Sequence, residues 1–249
     1  MPSERGHIGA LSDGTSGVFV TGTGTEVGKT VVAAAIARTL AANGERVAVF
    51  KPAVTGLEPP ADGPKTGAGA RFSARRRDHE VLRDAAGSAQ SDEEIAPYRY
   101  GPPMSPHLAA ELAGEEISPE RLRDAAGAAA NGADVLVCEG VGGLLVPLAP
   151  GYAVRDLAVD LGLPLVIAAS PGLGTINHTL LTIEAARSAG LEVAAVVLTP
   201  WPENPGGIEE SNRETLASLG EVQVELLPQL DLDEPAVWPG LNPWRLGSA

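Results

Sequence analysis

The chain has 249 residues, a formal net charge of −14, 44% hydrophobic residues and 4% aromatic residues. That length suits one or two domains with a sizeable core, and the acidic balance argues against broad nucleic-acid binding and against docking on an anionic membrane. No apolar run approaches the length that spans a bilayer, and the lone Cys138 permits no internal disulfide, as expected in a reducing cytoplasm.

Residues 1–17 lack the apolar centre of a secretory signal and are expected to form a flexible polar tail. A domain over 18–249 follows. Its first element is the β-type run Val18–Thr21, and Thr30–Ala42 is a helix stopped by Asn43-Gly44. Further apolar strand runs are Val47–Phe50, Val135–Cys138, Leu165–Ala168, Val193–Leu198 and Val222–Leu226. Helices are predicted after Ser105-Pro106 and Ser118-Pro119, where an N-cap precedes proline, and over Ile176–Ala189 and Ser211–Leu219. Short apolar strands alternating with helices indicate an α/β domain, a mostly parallel sheet flanked by helices. The stretch Leu57–Arg77 is rich in Pro, Gly and Ala and then basic at Arg71 and Arg75-Arg76-Arg77. It is expected to be a mobile insertion, its arginines solvated or holding a phosphorylated partner. The segment after Pro228 is expected to be loosely ordered.

Ligands of such sheets gather at the carboxyl ends of the strands. Residues 21–30 read Thr-Gly-Thr-Gly-Thr-Glu-Val-Gly-Lys-Thr and join the first strand to the first helix. Strand, glycine loop and Gly-Lys-Thr make a phosphate cradle of P-loop NTPase type: loop N–H groups and the helix dipole face phosphate. Lys29 would reach the β- and γ-phosphates, and the Thr30 hydroxyl would sit on Mg²⁺. The spelling departs from the usual pattern, which has glycine where Thr23 stands; here the glycines are Gly22 and Gly24.

Lys51 closes the second strand and faces the same crevice, either as a surface lysine or as the second cation of a charge clamp for phosphoryl transfer. Glu139, at the end of the strand Val135–Cys138, precedes Gly140-Val141-Gly142-Gly143. A carboxylate there is placed to hold Mg²⁺, the alternative being a turn with an incidental acid. Cys138 reads as an inert core thiol. Asp78 is a further acidic candidate. Gly172–His178 joins a strand to a helix whose first N–H groups could bind a carboxylate, or is a plain turn capped by Thr175. The four histidines show no metal-ligand spacing.

Thr21–Thr30, Lys51–Gly56, Pro97-Tyr98, Pro103–His107, Glu139–Gly143 and Leu173–His178 occur in this order. Together, over about Val18 to Pro228, they closely resemble the dethiobiotin synthetase family. The resemblance implies a P-loop fold in one domain and closure of a ureido ring from 7,8-diaminopelargonate, CO₂ and a nucleoside triphosphate such as ATP, with Mg²⁺. A carbamate forms on one amine and attacks the γ-phosphate, and the second amine closes the ring. The resemblance places catalysis on Lys51 and Lys29, and Mg²⁺ on Thr30, Glu139 and Asp78. It puts nucleotide contacts at Glu26, Val27, Gly28, Val31, Gly140, Val141, Gly142, Thr199, Pro228, Gln229 and Leu230. Thr25 and Thr55 would touch the diamine. Gly174, Thr175 and Asn177 would receive its carboxylate from a second subunit, which implies a homodimer.

One departure stands out. Where many members carry Asn-Asp to read adenine, this chain has Thr199-Pro200, and proline offers no side-chain acceptor and no N–H. Three rival readings fit the residues less well. A deviant P-loop ATPase of chromosome-partitioning type would carry its signature lysine where Gly24 stands. A glutamine-dependent ligase of corrinoid synthesis would need a fused amidotransferase. An inactive scaffold would not be expected to keep both lysines, Thr30 and Glu139.

Overall fold

A computed structural model describes residues 15–58, 76–232 and 234–243. In chain order the elements are β1 Ser16–Gly22, α1 Lys29–Ala42, β2 Val47–Phe50, α2 Asp78–Ala86, α3 Asp92–Ile95, α4 Pro106–Leu112, α5 Pro119–Ala130 and β3 Val135–Glu139. Then come β4 Pro147–Ala149, β5 Tyr152–Ala153, α6 Val154–Leu161, β6 Leu165–Ala169, α7 Thr175–Arg187, β7 Val193–Trp201, α8 Gly207–Gly220 and β8 Val224–Pro228. A 3-10 turn, Pro235–Val237, follows.

Six strands form one parallel sheet in the order β2-β3-β1-β6-β7-β8. β4 and β5 make a separate antiparallel pair. Because side chains alternate along a strand, each strand serves two cores. On one face Val18 and Val20 of β1 and Val135 and Val137 of β3 pack with Val32, Ile36 and Leu40 of α1 and Leu82 of α2. On the other, Phe19, Leu136 and Cys138 pack with Leu122 of α5 and Leu157 of α6. A smaller cluster joins Ile167, Val196 and Leu198 to Ile183 of α7 and Leu216 of α8. The sheet, buried on both sides, needs the continuous apolar strands that the sequence shows.

Several boundaries differ from those predicted. β1 begins at Ser16, which pairs with Val135, so the end of the expected tail belongs to the sheet; residues 1–14 lie outside the described ones. β8 starts two residues later than the run at Val222, because its register against β7 carries it to Pro228 opposite Trp201. α2, α3, α6 and the β4–β5 pair were not predicted. α2 nonetheless shows helical spacing in buried Val81, Leu82, Ala85 and Ala86, with Gly87 in the left-handed conformation as its stop.

Most of the expected mobile insertion, 59–75, lies outside the described residues, but its ends are fixed. Leu57 N–H donates to the Tyr100 carbonyl at 3.2 Å and Glu58 N–H to that of Gly101 at 2.9 Å. The described residues after Pro228, 229–232 and 234–243, are also tied down, contrary to expectation. Leu230 and Leu241 are buried, the Trp238 indole donates to the Asp231 carbonyl at 2.6 Å, and Leu241 N–H donates to Thr39 Oγ1 at 2.9 Å. Two leucines bedded on the α1 face hold this piece without regular structure.

Candidate active site

β3 lies between β2 and β1, with Val20 opposite Glu139 and Phe50 opposite Cys138. The last residue of β3 therefore falls between the loop that leaves β1 and the lysine that leaves β2. Lys51 Nζ stands 2.6 Å from Glu139 Oε1 and 3.1 Å from Asp78 Oδ2. The Thr30 hydroxyl donates to the same Glu139 Oε1 at 2.9 Å. The lysine and glutamate side chains are 4% and 1% exposed and that of Asp78 47%, so the cluster is dry on one side and open on the other.

The P-loop is held by its own stereochemistry. Gly28 has φ 89°, and a Cβ there would meet Thr199 Cγ2 at 2.5 Å. Glycine at that position is therefore required by backbone conformation and by the approach of β7. Gly24 has open space around it, and its carbonyl accepts from Lys29 Nζ at 2.7 Å. The glycine absent from position 23 is not missed at this bend, because the close approaches are made at Gly22 and Gly28.

Electrostatics divide the groups. Burial pulls the Lys51 ammonium down, yet Asp78 and Glu139 outweigh it and hold its pKa above the ordinary lysine value. The two carboxylates thus favour the charged form of Lys51. Burial brings Lys29 down to about 8; Glu139 and Asp78 oppose the fall and Lys51 adds to it. Burial pushes Glu139 above the usual carboxylate range despite Lys51, with Asp78 adding to the rise. The more exposed Asp78 goes the other way: burial raises it, but Lys51 and the Thr30 hydroxyl hold it below that range. Burial also lifts the Cys138 thiol well above its ordinary value, in keeping with an inert core cysteine.

A cleft of about 570 Å³ opens over this cluster. Thr25, Glu26, Gly28, Lys29, Thr30, Val31, Lys51, Thr55, Asp78, Glu139, Val141, Gly142, Thr199, Gln229 and Leu230 all line it. Other predicted residues do not. Val27 packs into the core on the α1 side. Gly140 is backed by Val154 and Phe19, whose side chains a Cβ there would meet at 2.9 and 3.0 Å. Pro228 ends β8. Gly174, Thr175 and Asn177 stand apart from the cleft: Asn177 is exposed, and Thr175 is buried with its hydroxyl 3.3 Å from that of Thr179. Sequence reasoning had not assigned Ala53, Val54, Val81 or Leu232 to the cleft, nor had it given Arg76 and Arg77 a place there. The helical spacing of α2 and the basic run before Asp78 could have pointed to that wall.

A family model described as "AAA domain" matches residues 16–235. The chain is 44% identical to the "ATP-dependent dethiobiotin synthetase BioD" of Anaeromyxobacter dehalogenans (strain 2CP-1 / ATCC BAA-258) over 182 residues, 73% of this chain and 75% of that protein. It is 40% identical to the protein of the same name from Rhodococcus erythropolis (strain PR4 / NBRC 100887), over 82% of this chain and 84% of the other. With the one from Bacillus subtilis (strain 168) it shares 34% identity over 84% of each chain. The chain belongs to the dethiobiotin synthetase family. Among solved structures it is similar to "The kinase domain of Escherichia coli tyrosine kinase ETK", with TM-score 0.42 and 16% identity over 83% of this chain and 74% of that one. Family membership removes the partitioning-type and corrinoid readings. The P-loop NTPase-like fold in one domain stands as predicted.

Proposed function

We infer that this chain is an ATP-dependent ligase that closes the ureido ring of dethiobiotin from 7,8-diaminopelargonate and CO₂, with release of ADP and phosphate. The observation that carries the reading is the convergence of Lys29, Thr30, Lys51, Asp78 and Glu139, from four separate segments, on one cleft.

The chemistry needs cations rather than a strong base. One amine of the diamine adds to CO₂ and becomes a carbamate. A carbamate oxygen then attacks the γ-phosphorus, the bond to the bridging oxygen breaks, and ADP leaves. The second amine attacks the carbonyl carbon of the mixed anhydride, expels phosphate and closes the ring. Carbamate and triphosphate repel each other, so positive charge fixed between them lowers the barrier. Lys51, whose charged form Asp78 and Glu139 favour, would supply that charge. Lys29, which donates to the Gly24 carbonyl at 2.7 Å, would exchange that bond for phosphate oxygens. Thr25 and Thr55 would orient the diamine.

The residues also suit a magnesium ion. Glu139 Oε2 is buried with no hydrogen-bond partner among the described residues, and Thr30 and Asp78 complete an all-oxygen donor set of the kind a hard cation takes. Held there by Thr30, Glu139 and Asp78, it would neutralise charge on the β- and γ-phosphates.

A homodimer completes the proposal. The turn before α7 presents Leu173, 97% exposed, beside Gly174 and Asn177, and a second subunit would bring that turn to the diamine carboxylate. Phosphate release from Mg-nucleotide with bicarbonate, measured with and without 7,8-diaminopelargonate, tests the reading. Release that requires the diamine supports it. Release indifferent to the diamine overturns it.

A further inference from the structure

The charges of the P-loop and the strand ends do not by themselves favour a polyphosphate. Glu26, Asp78 and Glu139 carry three negative charges along its walls against the two positive charges of Lys29 and Lys51. A magnesium-bound triphosphate is itself anionic, and among the described residues these five charges sum to −1, in a chain of net charge −14. Arg76 and Arg77 line the same cleft; Arg76 is paired with Asp84, and Arg77 offsets the remaining negative charge.

The two arginines are placed differently. The Arg76 guanidinium is occupied by the Asp84 carboxylate and by the Leu232 carbonyl at 3.2 Å. It fastens the chain entering α2 to the segment after β8. Arg77 is the residue before α2; its backbone N–H donates to Glu80 Oε2 at 3.0 Å and its carbonyl accepts from Val81 N–H at 3.0 Å. No carboxylate pairs with its exposed guanidinium among the described residues. Backbone bonds thus pin the start of this side chain while its charged end is left uncommitted. It adjoins Asp78, which touches Lys51 at 3.1 Å, and it lines the same cleft as the P-loop residues Lys29 and Thr30.

We propose that Arg77 is a nucleotide-binding residue that pairs with the triphosphate oxygens in this cleft, with Arg76 as the anchor that keeps it there. An uncommitted guanidinium presents paired N–H donors that match phosphate oxygens. The proposal rests on the nucleotide-dependent reading above and adds to it a residue outside the glycine loop.

The test is direct binding of Mg-ATP, and separately of Mg-tripolyphosphate, to the full chain without diamine, by calorimetry, for the wild type, Arg77→Gln and Arg77→Lys. The expected result is roughly tenfold or greater weakening of both ligands by Arg77→Gln. A shallower dependence of affinity on salt, partial recovery in Arg77→Lys and unchanged thermal unfolding of the free proteins should accompany it. Equal affinities in wild type and Arg77→Gln would overturn the proposal. So would normal nucleotide affinity with a raised KM for the diamine, which would assign Arg77 to the substrate carboxylate. Failure of the wild type to bind Mg-ATP would instead overturn the nucleotide-dependent reading beneath it.

Discussion

Lys51 and Glu139 meet at 2.6 Å although 88 residues separate them, and both side chains are almost wholly buried. Neither charge would be stable there alone, since burial works against each. They sit at the carboxyl ends of adjacent strands, so their pairing is a consequence of the sheet. The same pairing keeps Lys51 charged in a dry site, which is what a stabiliser of phosphoryl transfer needs.

Replacing Lys51 by Gln is expected to lower turnover at least about 100-fold, with a modest effect on nucleotide affinity. It should also destabilise the fold, because Glu139 is left buried beside a neutral amide. The double variant Lys51→Gln/Glu139→Gln should unfold at a higher temperature than Lys51→Gln alone, while remaining inactive. Thermal unfolding and single-turnover rates measure the two effects. Normal turnover in Lys51→Gln would remove that residue from the mechanism.

Gly28→Ala would place a methyl group on a left-handed backbone and against Thr199 Cγ2. A loss of about 2 kcal/mol or more is expected, together with weaker Mg-nucleotide binding. Adding Thr199→Ser removes the obstructing methyl and should restore part of the loss, leaving the backbone cost. Denaturant unfolding of the single and double variants separates the two contributions, and absence of any recovery would show that contact with β7 is not the cause.

Nucleotide binding should take up a proton in alkaline solution. Burial holds Lys29 at about 8 in the free protein, and phosphate oxygens beside the ammonium would raise it. Below pH 8 the proton is already present; above it, binding must recruit one. Affinity is therefore expected to fall as pH rises beyond 8, by up to about tenfold per pH unit. Calorimetry at pH 7 and pH 9 in buffers of different ionisation enthalpy reads the uptake directly. An affinity flat across that range would contradict the placement of Lys29 on the phosphates.

Base selectivity is expected to be weak. Thr199 is buried and Pro200 offers no donor, so Gln229 is the one side-chain amide among the described residues that line the cleft. Sites that discriminate strongly do so with polar groups left unpaired by the wrong ligand. We expect kcat/KM for ATP, CTP and GTP to lie within about tenfold of one another. A thousandfold preference would mean that backbone groups read the base.

The local signals proved legible. Strand, loop and helix around Lys29 and Thr30, the lysine closing β2 and the glutamate closing β3 are each a matter of neighbouring residues. Asp78 was named but could not be supported by spacing, because a long irregular stretch separates it from β2. The helix α2 that carries it starts directly after the basic run, and its short apolar stripe is a weak signal beside that irregular stretch. The segment after β8 lacked periodicity and looked loose, whereas its order comes from two leucines and a tryptophan settling on the α1 side. Such contacts leave no local pattern.

By itself, the amino-acid sequence determined the phosphate loop, the alternation of buried strands with helices and the membership of this family, because those reside in short spans and in their order. Only the tertiary structure decided that β3 lies between β1 and β2, and hence that Glu139 bridges Thr30 and Lys51. It alone left Arg77 on the cleft wall without an acidic partner among the described residues. Strand order and charge pairing are set by which surfaces bury one another across long separations in sequence, and no run of neighbouring residues encodes that.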